Sequence, residues 1–217
     1  MRKLFTVINL PAKSDMKNYS AQELKDSLEC YNPECELFPI LANSDKKLSA
    51  RDVLLILRWK LGRIKYEERH ADYKIVSQKN LNKINRAIET ARRQGDELDA
   101  LNELIDIRGI GLSVATAILT ICCPEKYTII DWRALETLDL FPSEEKRQKR
   151  KDEQGAKKYI TEDWTPQDYC YKFIKAVMVF KKENNCSTLR DADRKLWGLS
   201  VNEQIKHAVN KAAEISE

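Results

Sequence analysis

The sequence predicts an all-α protein, and three observations support this class. Apolar residues recur at the three- and four-residue spacing of an amphipathic helix along most of the chain. Glycine and proline are scarce, with six of each in 217 residues, so few positions interrupt a helical pattern. At four predicted helix starts a hydroxyl-bearing residue is followed three positions later by an acid, which is typical of a helix N-terminus.

Six stretches carry an apolar stripe along one helix face, and each stripe predicts a helix with one buried side. They are Val53, Leu54, Leu57 and Leu61; Leu81, Ile84, Ile88 and Ala91; Leu98, Leu101 and Ile105; Leu112, Ala115, Leu119 and Cys122; Tyr169, Phe173, Val177 and Phe180; and Ile205, Val209 and Ala212.

Helix starts are predicted where a short polar side chain can accept from an unpaired backbone N–H group. Thr165 is the strongest of them, because Pro166 supplies a preset φ at the first helical position. The full set of predicted N-caps is Ser20, Ser49, Asp96, Thr165 and Ser200.

Two segments fall outside the helical pattern. Residues 3–10 are predicted to form a strand or an extended arm, and residues 142–163 a loop. The loop contains five basic residues within positions 146–151. Such a run fits either a solvated surface loop or an arm that contacts phosphates without sequence specificity.

The composition bounds the class of protein. Charged residues make up 33% of the chain and hydrophobic residues 42%, and no apolar run is long enough to span a membrane. The net charge of +4 permits nucleic-acid binding without requiring it. The six cysteines form no Cys-x-x-Cys pair and have no histidine at a metal-ligand spacing, so we expect reduced thiols, no bound metal and a cytoplasmic location.

The most informative motif is a glycine-x-glycine turn between two helical stretches. Gly109 and Gly111 permit a tight turn, and the first N–H groups of the following helix would point at any phosphate placed there. An ordinary helix–helix turn with a glycine cap is the alternative. The residues predicted to contact a DNA phosphate are Arg108, Gly109, Ile110, Gly111, Leu112 and Ser113.

Asp131 ends an apolar run at residues 127–130 and precedes another helical stretch. It is either a catalytic carboxylate or only the N-cap of that helix. With 34 acids in the chain, an acid at this position is weak evidence when taken alone.

Residues 98–138 together resemble the helix-hairpin-helix DNA glycosylase superfamily, which includes endonuclease III and the adenine-mismatch glycosylases. In that superfamily a catalytic aspartate lies eighteen residues beyond a position just after the second glycine, and Ser113 and Asp131 have this separation. The resemblance implies a two-lobed all-α fold. Residues 46–140 would form a six-helix lobe with the helix-hairpin-helix at about 97–123, and residues 1–45 with 141–217 the second lobe.

The resemblance implies a monomeric enzyme that acts on double-stranded DNA and releases a flipped damaged, mismatched or modified base, with Asp131 as its catalytic carboxylate. Members that also cut the backbone carry a lysine where this chain has Ser113, so the resemblance implies a monofunctional glycosylase unless Lys60 or Lys126 substitutes. Only Cys170 and Cys186 lie in the C-terminal region, so no iron–sulfur cluster and no other cofactor is expected.

Four aromatic residues are candidates for stacking on the flipped base: Trp59, Tyr66, Tyr127 and Trp132. A weaker similarity to small bacterial members of the superfamily involves residues 188–197 together with Trp59, Lys60 and Arg63. Within 188–197 we expect Asp191, Asp193 and Arg194 to form a structural ion-pair network and Trp197 to lie in the core.

Three functions therefore compete at this point. The first is a monofunctional DNA glycosylase. The second is a non-catalytic helix-hairpin-helix module that binds DNA, and the third is a helical protein-interaction domain with no nucleic-acid role. The sequence does not identify the base that the first would release.

Overall fold

The computed structural model describes residues 32–62, 74–140 and 164–215, together with Ser20 and Gln22. These residues form helices and the turns between them, with no strand, so the all-α class is confirmed for this part of the chain. The predictions for residues 3–10, 142–163 and 146–151 and for Tyr66 lie outside the described residues.

The helices are α1 (Pro33–Glu36), α2 (Phe38–Leu41), α3 (Ala50–Leu61), α4 (Gln78–Arg92), α5 (Glu97–Ile105), α6 (Leu112–Cys122), α7 (Trp132–Thr137), α8 (Pro166–Asp168, π-helical over Tyr169–Phe173, then α-helical over Ile174–Glu183) and α9 (Leu189–Ile215).

Helix α6 lies at the centre of the core. All its residues except Ser113 are buried, as expected for a helix that is apolar on every side. A contiguous cluster of buried side chains extends from Leu37 to Leu196 and contains residues of both predicted lobes. The described part of 46–140 contains five helices, α3 to α7, and the division into two lobes stays a prediction.

Two predicted N-caps are confirmed as capping boxes. At the start of α3, Asp52 N–H donates to Ser49 Oγ at 3.2 Å, while Ser49 N–H donates to Asp52 Oδ2 at 2.8 Å. Thr165 and Asp168 exchange the same two bonds at the start of α8. Asp96 occupies the N-cap position of α5, but its side chain makes no capping bond.

The predicted helix start at Ser200 is wrong, because α9 runs without a break from Leu189 to Ile215. Ser200 is buried inside this helix, where its hydroxyl donates to Glu136 Oε2 at 2.8 Å and accepts from Arg133 Nη1 at 3.3 Å. The hydroxyl therefore joins α9 to α7 instead of capping a helix. The stripe that follows is helical but not buried, since Ile205 and Val209 are both more than half exposed.

Residues 127–130 form the last part of the connection from α6 to α7 and directly precede Asp131. The hydroxyl of Tyr169 donates to Thr128 O at 2.7 Å and accepts from Thr128 N–H at 3.0 Å. Ile130 N–H donates to Thr116 Oγ1 of α6 at 3.3 Å. Both sides of the segment are thus tied to helices. Across the described ranges, no helix combines the length and the apolar character needed to cross a bilayer.

Candidate functional site

In the turn between α5 and α6, only one of the two glycines has a backbone conformation that favours glycine. Gly109 has a φ of 99°, in the left-handed region that favours glycine. A Cβ there would also approach the Ile75 side chain at 3.2 Å. Gly111 has an ordinary φ of −88° and is the N-cap of α6, and nothing lies within 4 Å of a Cβ built on it. The space in front of Gly111 is therefore open.

The N-terminus of α6 opens onto that space. Its first intrahelical bonds are donated by Val114 and Ala115 to Gly111 O, so the N–H groups of Gly111, Leu112 and Ser113 precede the hydrogen-bond ladder. Of the remaining predicted contact residues, Ile110 is buried inside the turn and Arg108 is exposed.

Both oxygens of the Asp131 carboxylate are fixed. Asp131 is the N-cap of α7, and its Oδ1 accepts from the N–H groups of Arg133 and Ala134 at 3.0 Å each. Its Oδ2 accepts from Lys60 Nζ at 3.2 Å, and the two side chains are only 18% and 12% exposed. The two readings of Asp131 are compatible, since it caps α7 and also faces a cavity.

That cavity has a volume of about 430 Å³ and is formed by α1, α3, the segment before α7 and α9. It combines two tryptophans with six ionisable side chains. The residues that line it are Glu34, Trp59, Lys60, Ile129, Asp131, Arg190, Asp193, Arg194 and Trp197.

A network of ion pairs forms one side of the cavity. Arg190 donates to Asp193 on its own helix and, through Nη2, to Glu34 Oε1 of α1 at 2.7 Å. Arg194 Nε donates to the same Glu34 oxygen at 2.8 Å. The expected network is present for Asp193 and Arg194, whereas Asp191 pairs with Lys195 and does not line the cavity.

The pKa values of two acids in this network, Asp193 and Glu34, shift in opposite directions. Burial raises the pKa of Asp193 to about 6, and the nearby Asp131 charge adds to the effect against the opposing Arg190 and Lys60. Burial also acts to raise the pKa of Glu34, but the guanidinium groups of Arg190 and Arg194 outweigh it and hold that pKa below its ordinary value.

Both cavity tryptophans are held in place by neighbours. The Trp59 ring meets Phe38 edge-on with centroids 4.9 Å apart, and the Arg190 guanidinium lies 5.4 Å from its centroid. The Arg133 guanidinium lies 5.1 Å from the centroid of Trp197. Trp197 was expected in the core, but that expectation is wrong because the residue is 50% exposed.

The predicted base-stacking residues are not all brought together. Trp59 lines the cavity. Tyr127 offers no stacking face, because it is fully buried with its hydroxyl directed to Glu97 O at 3.4 Å. Trp132 is half-buried, packs on the Arg133 guanidinium at 4.2 Å and does not line the cavity. Ser113 does not line it either; its carbonyl accepts from Thr116 Oγ1.

The two lysines considered as substitutes for Ser113 have different surroundings. Lys126 Nζ donates to the carbonyls of Ala91, Arg92 and Arg93 at the end of α4, where it neutralises the negative end of that helix. Lys60 instead lies beside Asp131 in the cavity wall.

Sequence reasoning missed Glu34 and Arg190. A signal for Arg190 was available, since positions 190, 193, 194 and 197 have the spacing of one helix face. Glu34 had none, because it meets Arg190 across 156 residues of chain.

Comparison with family models, with curated proteins and with solved structures gave no match. The resemblance to the glycosylase superfamily therefore depends on the motif in residues 98–138 and on the weaker similarity in residues 188–197, Trp59, Lys60 and Arg63.

Proposed function

We propose that the protein is a monofunctional DNA glycosylase that hydrolyses the N-glycosidic bond of a base flipped into the cavity. The observation that carries the proposal is the Asp131 carboxylate, which is fixed through both oxygens in the wall of a cavity of about 430 Å³. A preorganised carboxylate of this kind stabilises the positive charge that develops on the sugar during bond cleavage.

DNA would be held by the turn between α5 and α6. Support comes from the open space in front of Gly111 and from the N–H groups of Gly111, Leu112 and Ser113, which precede the hydrogen-bond ladder of α6. Such a helix start attracts a phosphate without a cationic side chain. The segment that ends in Asp131 is bonded to α6 through Thr116, so the anchor and the acid belong to one packed unit. The two-lobed glycosylase architecture and action as a monomer are part of the proposal.

The proposed reaction stops after base release. The residue at the superfamily's lysine position is Ser113, whose hydroxyl cannot form an imine with the sugar. The amine of Lys60 is engaged with the Asp131 carboxylate at 3.2 Å, and this pairing opposes attack of the amine on the sugar.

The test is a base-release assay on duplexes with deaminated, oxidised, alkylated, mismatched or hypermodified bases, followed by hot alkali to reveal abasic sites. We expect alkali-dependent cleavage by the wild type and none by Asp131→Asn. Asp99→Asn, an exposed acid on α5, is the matched control and should retain activity. Cleavage without alkali would contradict the monofunctional assignment and point to the Lys60 amine.

DNA binding separates the enzyme from a non-catalytic binding module. Asp131→Asn should bind duplex DNA as the wild type does, whereas Gly111→Asp should weaken binding by placing a negative charge in front of α6. Binding that depends on Gly111, with no base released from any duplex, would favour the module. The absence of binding even at low salt would contradict both functions.

A further inference from the structure

The charges that line the cavity are balanced. Three acids, Glu34, Asp131 and Asp193, face three bases, Lys60, Arg190 and Arg194. Lys60 pairs with Asp131, Arg190 pairs with Asp193 and Glu34, and Arg194 pairs with Glu34. Each acid therefore already has a cationic partner, and the described residues that line the cavity supply no surplus negative charge to attract a cationic ligand.

The aromatic walls are also engaged by cations. The Arg190 guanidinium lies near the Trp59 ring, and the Arg133 guanidinium lies near the Trp197 ring. A tryptophan ring attracts cations through the negative charge of its faces, and a cation already in place repels a second one on the opposite face. Neither ring is thus well suited to stack on a positively charged base.

Trp197 remains suited to stack on an uncharged base. It is half exposed at the cavity wall, and stacking would remove apolar ring surface from water. Arg133 also connects this ring to the acid, because its backbone N–H donates to Asp131 and its side chain donates to Ser200 of α9. The stacking surface and the carboxylate therefore share one support.

From these contacts we infer, as an extension of the proposed glycosylase activity, that the cavity selects an uncharged base stacked on Trp197 and disfavours cationic N-alkylated purines. Deaminated, oxidised and mismatched bases belong to the first class, and 7-methylguanine and 3-methyladenine to the second. A cationic base on Trp197 would lie across the ring from the Arg133 guanidinium and close to Arg194.

The first experiment compares single-turnover base release by the wild type from duplexes containing uracil, hypoxanthine or 8-oxoguanine with release from duplexes containing 7-methylguanine or 3-methyladenine. Spontaneous loss is subtracted. We expect the best uncharged base to be released at least about tenfold faster than either cationic base. Equal or faster release of the cationic bases would overturn the inference.

Arg133→Met tests the cause of the selectivity. Removing the guanidinium while keeping the backbone N–H of residue 133 should lower the ratio of uncharged to cationic release by about tenfold. Arg86→Met is the control, since Arg86 pairs with Glu103 and does not line the cavity. A residue with only a structural role would slow both classes alike, so an unchanged ratio in Arg133→Met would refute the inference.

Trp197→Ala tests the stacking surface, with Leu199→Ala as an exposed apolar control on the same helix. Release of the uncharged base should slow by at least about tenfold in Trp197→Ala, within the range of base–aromatic stacking, and should be unchanged in Leu199→Ala. Full activity in Trp197→Ala would show that the base does not stack on Trp197.

A binding experiment separates failure of this inference from failure of the glycosylase proposal. The affinity of Asp131→Asn is measured for duplexes containing uracil, hypoxanthine, 8-oxoguanine or 7-methylguanine, with and without Trp197→Ala. A preference for an uncharged modified base that disappears with Trp197→Ala would support the inference even if the wild type released no base. A preference for 7-methylguanine, or no preference, would overturn it.

Discussion

Tyr169→Phe removes one oxygen atom and, with it, one of the two anchors of the connection between α6 and α7. The Tyr169 hydroxyl both donates to Thr128 O and accepts from Thr128 N–H, at 2.7 and 3.0 Å. Tyr169 and Thr128 are both buried, so water does not reach the two backbone groups. The substituted ring would keep its stacking on Phe173, which confines the change to the lost hydrogen bonds.

The size of the effect follows from this burial. A buried donor or acceptor left without a partner costs about 1 to 3 kcal/mol, so two of them together should cost about 2 to 6 kcal/mol. That is a large part of the roughly 5 to 15 kcal/mol by which a typical domain is stable. Burial also holds the pKa of Tyr169 well above its ordinary value, so the hydroxyl keeps its proton and acts as a donor at any physiological pH.

Urea unfolding followed by circular dichroism measures the change in the free energy of unfolding. With a urea dependence of about 2 kcal/mol per molar, the midpoint should fall by about 1 to 3 M. Tyr171→Phe is the matched control, because Tyr171 is 61% exposed on the same helix, and it should change stability by less than about 0.5 kcal/mol. A loss below about 1 kcal/mol in Tyr169→Phe would refute the reasoning.

Three further predictions concern stability and reactivity. Ser49→Ala removes the capping bond of α3 and should lower the free energy of unfolding by about 1 kcal/mol, seen as a lower thermal midpoint; an unchanged midpoint would contradict the role of the cap. The pKa of Asp193, raised by burial to about 6 from roughly 3.9 in an unfolded chain, means that the folded protein holds this proton between pH 4 and 6. The contribution of Asp193 to stability should therefore be present below pH 4 and fall by about 2 to 3 kcal/mol as the pH rises through 6. Urea titrations at several pH values measure this dependence, and Asp193→Asn should remove it. The same pH dependence in both proteins would disprove the prediction. Maleimide labelling of the native protein should modify the exposed Cys35 and spare Cys122, where burial raises the pKa to about 12; peptide mapping that finds Cys122 labelled before unfolding would argue against its burial.

Sequence patterns predicted the helices well where packing and periodicity agree. The stripe through Ile84 and Ile88 lies in α4, with both residues in the core, and the boxes at Ser49 and Thr165 start helices as predicted. The predicted helix start at Ser200 was wrong because a serine three residues before an acid is also compatible with the interior of a helix. Its hydroxyl hydrogen-bonds to Arg133 and Glu136 of α7, and no local sequence pattern predicts these contacts.

The candidate site was predictable only in part. Asp131 was predicted as a site residue because its separation from Ser113 matches that of the superfamily that the chain resembles, and Trp59 because aromatic residues are suited to stacking. The cavity itself depends on α1, α3 and α9 meeting in space, as the contact between Glu34 and Arg190 illustrates. Trp197 was misplaced because a tryptophan in a helix is more often buried than exposed at a cavity wall.

The continuity of α9 limits how this protein can change in length. Four cavity residues, at positions 190, 193, 194 and 197, lie on one face of a single helix. Each residue turns an α-helix by about 100°, so one inserted or deleted residue between Arg190 and Trp197 would rotate the tryptophan out of the cavity. The same event just beyond residue 201 would displace residues 202–212, all of which are exposed. Insertions and deletions should therefore be tolerated near the end of α9, whereas near its start they should disrupt the cavity.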